Sequence, residues 1–356
     1  MSIVFAILLF SFLIFIHELG HFVAAKLSGV QVNEFSMFMG PAIATWERGG
    51  TKYSIRCIPI GGYCAMEGED TASDNPRAFG SAAWWKRLVI LVAGSATNFI
   101  AGILIMFIVF LPAKQFVEPV IESFESYSTI NRVGGLQAGD RILEVDGERI
   151  YVQSDFSVIL SLNPGDVHDL VVKRGDEKVY LEDFKMERHE VVGENGEKQQ
   201  LFGMNFKVID ADIPAKINYA WNTSLNTVRS VRLSLQMLLS GQAGLKDMTG
   251  PVGIVQMMSD TADASDTALD AFLNMLYFGG FIAINLAVMN MLPIPALDGG
   301  RVLALLLITT VEGITKKKID PKYEGYIHWV GMILLLILMA VVMFKDIFMI
   351  FKGWVR

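Results

Sequence analysis

Four long apolar runs constrain this sequence more than any other feature. They contain no Asp, Glu, Lys or Arg, and they cover Ile3–Ile16, Leu88–Ala113, Ala271–Leu297 and Ile327–Phe344. A helix of about 20 apolar residues crosses the roughly 30 Å of a bilayer's hydrocarbon core, so we predict four membrane spans. A shorter run, Val302–Val311, should continue the third helix or lie at the membrane interface.

The composition excludes several classes of protein. Hydrophobic residues make up 52% of the chain and charged residues only 19%, whereas charged residues are about 25% of a soluble domain. An ordinary cytosolic enzyme and a disordered chain are therefore excluded. The net charge of −7 argues against a nucleic-acid partner. We therefore expect most of the chain to be embedded in the lipid bilayer.

One acidic segment interrupts the apolar chain. The interval Lys114–Asp212 holds 20 acidic and 11 basic side chains, a net of −9, whereas the remainder nets +2. This contrast predicts a membrane body plus one extramembrane domain. The loop between the first two spans and the segment from Arg301 to Lys322, which includes Lys317 and Lys318, are basic. Such segments remain cytoplasmic, so the acidic insert and both termini should lie outside.

A metal-binding pattern ends the first apolar run. His17, Glu18 and His21 form H-E-x-x-H, and positions i and i+4 share one face of a helix, so both imidazoles can reach one ion. The intervening glutamate then suits a general base that acts on a zinc-polarised nucleophile. The alternative is a pair of histidines that only form hydrogen bonds inside a helix bundle.

A catalytic zinc site usually needs a third protein ligand. Asp298 is the best candidate, because it follows the third span on the side predicted to be cytoplasmic and lies in the Pro- and Gly-rich segment Asn290–Gly300. His168 and His189 lie in the acidic insert, and His328 is predicted to be interfacial. Irregular backbone at membrane depth is tolerated where it lines a wet cavity or is buried. Asp298 could instead simply turn the chain at the interface.

These two motifs resemble the signatures of the site-2 proteases, which are zinc intramembrane metalloproteases. The segment from Glu34 to Tyr63 and the order of elements resemble the bacterial regulator-of-sigma-E (RseP-type) branch. The resemblance implies one zinc ion (Zn2+) per chain, with His17, His21 and Asp298 as ligands and Glu18 as the base.

The resemblance also implies residues that hold the substrate. Asn285 and Asn290 would bind or polarise its backbone. Residues 37–66 read as short strands with turns at Gly-Pro and Gly-Gly pairs, and a free strand edge near Gly62 and Tyr63 could pair with an unwound substrate. An ordinary cytoplasmic hairpin is the alternative. One family element departs here, because Ser95 replaces a proline, which leaves the role of Asn98 undefined.

The acidic insert resembles a PDZ domain. Gly134–Gly147 matches its G-L-x-x-G-D-x-I-L-x-V-D-G core, and one such domain fits Gln115–Lys185. We predict a short helix at Asp155–Leu162 and a hairpin around Gly175. The domain could capture a substrate strand or exclude bulky ectodomains, and the second role is favoured.

The remaining sequence is less informative. Ile213–Ser240 is amphipathic at helical spacing and predicts a surface helix, and Gly250–Gly253 predicts a turn. The predicted organisation is a first span with H-E-x-x-H, a membrane-associated β region, an interfacial helix with the second span, a PDZ-like domain, a linker with the amphipathic helix, a third span with the Leu-Asp-Gly motif, and a cytoplasmic loop with the fourth span. Their bounds are 1–29, 30–76, 77–113, 114–187, 188–267, 268–311 and 312–356.

The sequence therefore predicts a polytopic α-helical membrane protein with about four spans, a membrane-associated β-hairpin region and one inserted extracytoplasmic PDZ-like α/β domain. Its expected function is intramembrane zinc proteolysis of single-span proteins that another protease has already shortened, such as an anti-sigma factor or a remnant signal peptide. The expected location is the bacterial cell membrane, with the active site near its cytoplasmic side. The alternatives are a PDZ-type scaffold with a non-catalytic zinc site and a CAAX-type protease. Intact Glu18 argues against the first, and Asp298 argues against the second.

Overall fold

The computed structural model describes residues 2–69, 73–132, 134–192, 198–244, 246–316 and 322–351. Lys317 and Lys318, which contributed to the predicted orientation, lie outside the described residues. The chain forms two compact units, Met1–Val109 with Thr227–Arg356, and Phe110–Asn226. The helices of the chain are α1 Ser2–Ser28, α2 Trp84–Phe110, α3 Gln153–Leu162, α4 Ile213–Leu239, α5 Pro251–Asp263, α6 Ala268–Asn290, α7 Asp298–Thr315 and α8 Lys322–Phe351.

Four described helices are long and apolar enough to cross a membrane. They occupy Val4–Ser28, Trp84–Phe110, Ala268–Asn290 and Gly325–Met349, which agrees with the four predicted spans. Their exposed side chains are largely apolar, and those of the last span are mostly exposed. The chain is therefore a multi-pass membrane protein.

The predicted end of the third span was wrong. Helix α6 stops at Asn290, and the short apolar run becomes part of a separate helix, α7. The two prolines between them, Pro293 and Pro295, lack the N–H groups that a continuous helix would need. The prediction of a turn at Gly250–Gly253 missed a helix, because Pro251 begins the 13-residue helix α5. Proline is favoured in the first turn of a helix, where its missing donor costs nothing.

The segment predicted as short strands forms two strands, each of which divides into two separately paired segments. Strands β1 (Val32–Arg48) and β2 (Thr51–Met66) are antiparallel and are joined at Gly49–Gly50. The predicted turn at Gly40 lies within β1, where a positive φ of 85° accompanies a shift in pairing register. Glycine adopts this conformation without strain, and the chain reverses direction there, because 42–48 pairs with 51–56 in antiparallel register whereas 34–37 pairs with 52–55 in parallel register.

This reversal leaves the segment 32–39 paired on both of its sides. Phe35 lies opposite Tyr53 and also opposite Cys64, whereas Tyr53 lies opposite Trp46 as well. The order across the sheet is therefore 42–48, 51–58, 32–39 and 62–66. The segment 62–66 is consequently an edge of this sheet among the described residues.

The first unit contains two apolar clusters along α1. The N-terminal half of α1 packs its Ala6, Leu9 and Leu13 against α6 and the buried Met258 of α5. The C-terminal half packs against the sheet and α2, with Ala25 and Ile90 fully buried. Together these contacts bury opposite ends of the helix that carries the H-E-x-x-H motif.

The second unit contains an antiparallel sheet with one helix against it. Its strands are β3 Gln115–Phe124, β4 Arg141–Val145, β5 Glu148–Arg149, β6 Val167–Arg174, β7 Glu177–Lys185 and β10 Met204–Asp210, in the order β10-β3-β4-β6-β7 with β5 beside β4. A separate pair is formed by β8 His189–Val192 and β9 Lys198–Leu201. The predicted helix and hairpin are therefore present, and the sheet extends to β10, beyond the interval predicted for the PDZ-like domain.

Local sequence explains two features of this unit. Asp146 and Gly147 have positive φ angles of 50° and 77°, as a two-residue hairpin between β4 and β5 requires. Asp140 is fully buried and pairs with Arg174 at 2.8 Å. A buried carboxylate needs such a partner, and this pair ties the loop before β4 to β6.

Candidate active site

Three side chains converge between helices α1 and α7. The Nε2 atoms of His17 and His21 are 3.2 Å apart, and Asp298 Oδ2 lies 3.1 Å from the first and 3.2 Å from the second. The two histidine side chains are 11% and 9% exposed, and Asp298 is 19% exposed. These residues form the one group of potential metal ligands found among the described residues.

Local backbone structure brings Asp298 to the two histidines. It is the first residue of α7, and two glycines follow it. A side chain on Gly299 would overlap the backbone of Met291, and one on Gly300 would overlap that of Ile294. The loop after α6 therefore folds directly onto the first turn of α7, which holds Asp298 facing α1.

The hydrogen bonds of His21 define its tautomer. Its Nδ1 lies 2.8 Å from the carbonyl oxygen of Ile90, and a carbonyl can only accept, so Nδ1 carries the proton. In the neutral ring, Nε2 then presents a lone pair towards Asp298. Asp298 Oδ2 is buried and has no hydrogen-bond donor among the described residues, although two ring nitrogens lie near it.

This arrangement fits a zinc ion. Lone pairs and a carboxylate oxygen that meet at 3.1–3.2 Å repel one another, unless a cation lies between them. A tetrahedral zinc ion with bonds of about 2.0–2.1 Å separates neighbouring ligand atoms by about 3.3 Å. Both the donor set and the spacing therefore match what zinc requires.

Helix α2 approaches the two histidines closely at a glycine. A side chain at Gly94 would lie 2.8 Å from His17 Cε1 and nearer still to His21 Nε2. On the facing helix, α1, a side chain at Gly20 would overlap Thr97 and the Ala93 backbone of α2. Glycine on each helix thus lets the two backbones touch beside the metal ligands.

Glu18 lies between the histidines and the edge of the sheet. It is half-buried and lies close to Cys64 of β2. Gly62 is close as well, since a side chain there would lie 3.9 Å from Glu18 Cγ. Glu18 therefore joins the metal ligands to the strand segment predicted to hold substrate.

The other predicted substrate residues differ in their surroundings. The hydroxyl of Tyr63 lies 2.7 Å from Arg56 Nη2, which also donates to Glu34. Burial alone would raise the pKa of Glu34, but hydrogen bonds from Ser54 and Arg56 outweigh it and lower the pKa to about 2. Tyr63 is thus held within this ionic network.

Asn285 and Asn290 lie in the last two turns of α6 and are half-buried. They are not members of the His–His–Asp group, and they precede the loop that leads to Asp298.

Some residues at the site could not be recognised from sequence. Ile90 acts through its backbone carbonyl, which no residue pattern marks. His328 was predicted to be interfacial, yet its Nδ1 accepts a hydrogen bond from the Ala296 N–H at 3.1 Å. Arg301 pairs with Glu69 at 2.6 Å and so fixes the first turn of α7 to the loop after β2. Only folding brings these partners together.

A buried His–His–Asp group, with a glutamate beside it and apolar spanning helices around it, defines the class of membrane zinc metalloproteases. The comparison of sequences is consistent with this class. The profile of peptidase family M50 matches residues 5–338, and the chain belongs to this family, the site-2 proteases.

Relatives match along nearly the whole chain. A Clostridium acetobutylicum protein, named as a candidate zinc metalloprotease, is 37% identical over 349 residues, which is 97% of each chain. The regulator of sigma-W protease RasP of Bacillus subtilis is 25% identical over 423 residues, covering 96% of this chain and 97% of its own. The zinc metalloprotease RasP of Oceanobacillus iheyensis is 28% identical over 429 residues, or 97% and 98%. The predicted enzyme class and its zinc cofactor are thereby confirmed.

Proposed function

We propose that this enzyme cleaves the transmembrane segments of single-span proteins whose extracytoplasmic part has already been shortened. The observation that carries the proposal is the position of the His–His–Asp group, which lies next to a strand edge and among spanning helices. An anti-sigma factor or a remnant signal peptide has the required form. By its motifs the chain belongs to the RseP-like branch, with one PDZ-like domain.

The proposed zinc ligands are His17, His21 and Asp298. When bound, zinc polarises the scissile carbonyl and favours the ionised form of the attacking water. Glu18 takes the proton from that water and delivers it to the leaving amine nitrogen. Burial of these groups excludes bulk water, so their electrostatic interactions are stronger than in solvent.

The edge segment 62–66 is the proposed substrate-binding element. A peptide bond within a helix is hydrogen-bonded internally, so the substrate must unwind before hydrolysis. Unwound backbone inside a bilayer needs new hydrogen-bond partners, and an exposed strand edge supplies them. Gly62 begins this segment, and a side chain there would lie 3.9 Å from Glu18 Cγ, so the segment lies beside the proposed base.

The depth of the strand supports this role. Ser11 Oγ donates to the Pro59 carbonyl at 2.6 Å, and Ser11 lies within the first span, Val4–Ser28. Residues 59–66 thus follow α1 from Ser11 towards Glu18, over about 10 Å of helix. Asn285 and Asn290, on α6, are proposed to bind the substrate backbone on its other side.

The acidic insert is proposed to be the PDZ-like domain on the extracytoplasmic side, with the active site nearer the cytoplasm. Its core sequence supports the domain type, and the basic segments that flank the spans support the orientation. We favour a role in excluding bulky ectodomains. Capture of a substrate strand along β10, an edge strand of the sheet among the described residues, is the second possibility.

Glu18→Gln tests the proposed function. The variant should retain zinc, because Glu18 is not a ligand, but cleavage of a single-span substrate in liposomes should fall by orders of magnitude. Glu47→Gln, an exposed acid on β1, is the matched control and should leave the rate unchanged. Mass spectrometry of the products should place the cut inside the transmembrane segment. A normal rate for Glu18→Gln, or a cut only outside the segment, would contradict the proposal.

A further inference from the structure

Asn98 is a buried polar residue of α2 to which no role has been assigned so far. Its side chain is 1% exposed, and its Nδ2 lies 3.5 Å from His17 Nδ1. Its Oδ1 is buried and has no hydrogen-bond partner among the described residues. A buried amide that leaves its acceptor unsatisfied loses the hydrogen bond that water would give it, so this orientation of the amide is unfavourable.

Rotating the amide by 180° gives the buried oxygen a donor. The oxygen and nitrogen of an asparagine amide are assigned from the hydrogen-bond network. With Oδ1 facing the ring, it accepts from Nδ1–H of His17, and the buried acceptor is satisfied. The ring then carries its proton on Nδ1 and presents the Nε2 lone pair towards Asp298, which lies 3.1 Å away.

We propose that Asn98 is a positioning residue for zinc binding, which acts through His17. Its side-chain oxygen accepts the Nδ1 proton, fixes the tautomer of His17 and holds the ring in place. This inference rests on the proposed role of His17 as a zinc ligand. Such partners of ligating histidines typically change metal affinity about 10–100-fold when they are removed.

The second histidine supports the inference independently. His21 Nδ1 donates to the Ile90 carbonyl at 2.8 Å, so α2 already supplies an acceptor to one ring. Ile90, Gly94 and Asn98 are spaced i, i+4 and i+8, which places them along one face of a helix. On this face, Ile90 offers a carbonyl to His21 and Asn98 offers an amide to His17. Gly94 lies between them and leaves room for both rings.

A role in packing alone makes different predictions from a role as acceptor. Leucine has the branched shape of asparagine but is larger and has no acceptor, whereas aspartate matches its size, keeps an acceptor and adds a charge. If Asn98 only fills space, zinc binding should survive better in Asn98→Leu than in Asn98→Asp, because an unpaired buried charge is costly. If it accepts from His17, the order of the two variants is reversed.

The test measures zinc affinity by competition with a chelator, in the purified full-length protein and without reference to proteolysis. Asn98→Leu should bind zinc about 10–100-fold more weakly, and Asn98→Asp should bind within a few-fold of wild type. Ser95→Ala is the matched control, since it also truncates a buried polar side chain of α2, and it should not change the affinity. Asn98→Asp keeps the inference testable if the leucine variant fails to fold.

His17→Ala separates the two proposals. If it loses zinc while Asn98→Leu retains wild-type affinity, the role of Asn98 is refuted and the ligand set stands. If His17→Ala retains zinc, the proposed ligand set fails and the inference about Asn98 fails with it. Weaker binding in Asn98→Asp than in Asn98→Leu would also overturn the inference, because it is the result expected from packing.

Discussion

Replacing Gly94 by alanine should weaken zinc binding and reduce peptide hydrolysis about 100-fold, while the protein remains folded. The added methyl would lie 2.8 Å from His17 Cε1, 2.7 Å from His21 Cε1 and nearer still to His21 Nε2, whereas ordinary contacts begin near 3.4 Å. The His17 ring must therefore withdraw by about 0.6 Å and the His21 ring by more than about 0.7 Å, since repulsion rises steeply below contact distance. Metal and catalytic geometry tolerates only about 0.5 Å, and a displacement of about 1 Å costs about 100-fold in rate.

Movement of α2 cannot easily absorb the new methyl. The backbones of α1 and α2 already touch at Gly20, and Thr97 Oγ1 donates across this contact to the Ile16 carbonyl at 3.1 Å. Separating the helices would break that bond and expose the packed surface between them. The imidazoles, which can rotate, should move instead, so the damage should concentrate on zinc binding.

The assay compares zinc affinity, by chelator competition, and kcat/KM on a single-span substrate. Gly313→Ala is the control, because Gly313 is exposed on α7 and an added side chain meets nothing within 4 Å. It should leave zinc binding and rate unchanged and stabilise the helix by about 0.5–1 kcal/mol. A Gly94→Ala enzyme with wild-type affinity and rate would refute the argument.

Three further predictions test other parts of the molecule. Asp298→Asn should lower the zinc content measured in the purified protein, because it removes the charge that compensates the ion; normal zinc content in Asp298→Ala would refute the ligand assignment. The acidic insert can be excised between Lys114 and Ala211, because their backbones are hydrogen-bonded at 2.9 Å. The deletion should preserve zinc binding and extend cleavage to substrates with intact ectodomains. Reduced cleavage of every substrate would indicate that the insert captures substrate instead. Asp346→Leu should lower stability by about 1–3 kcal/mol in thermal unfolding without loss of zinc, because the carboxylate accepts from Gly253 N–H at 3.0 Å at the start of α5; an unchanged unfolding midpoint would contradict this.

The parts of the fold that sequence predicts well depend on local pattern. Charge-free runs indicated the four long helices, since the length needed to cross a bilayer is fixed. The H-E-x-x-H spacing placed His17 and His21 on one helix face, and Asp146-Gly147 marked a hairpin turn. Each of these depends on residues that are close in the chain.

The parts that sequence did not predict depend on contacts across the chain. The parallel pairing of 34–37 with 52–55 joins segments that are not neighbours in the chain, and neither strand's own alternation reveals it. Helix α5 was missed because its sequence begins with Gly-Pro, which is typical of turns. Its start is set by Asp346, whose carboxylate fills the space left by Gly250, where a side chain would lie 2.7 Å from Oδ2.

The loop between α6 and α7 shows how irregular backbone is maintained among the spanning helices. Ala296 has a positive φ of 79°, which is unfavourable for a residue with a side chain, so its surroundings must compensate. His328 of α8 accepts the Ala296 N–H, and a side chain at Gly331 would overlap Pro295, so α8 packs directly on this loop. Because Asp298 follows two residues later, the last span holds the backbone that carries the third proposed ligand, although it contributes no residue to the His–His–Asp group.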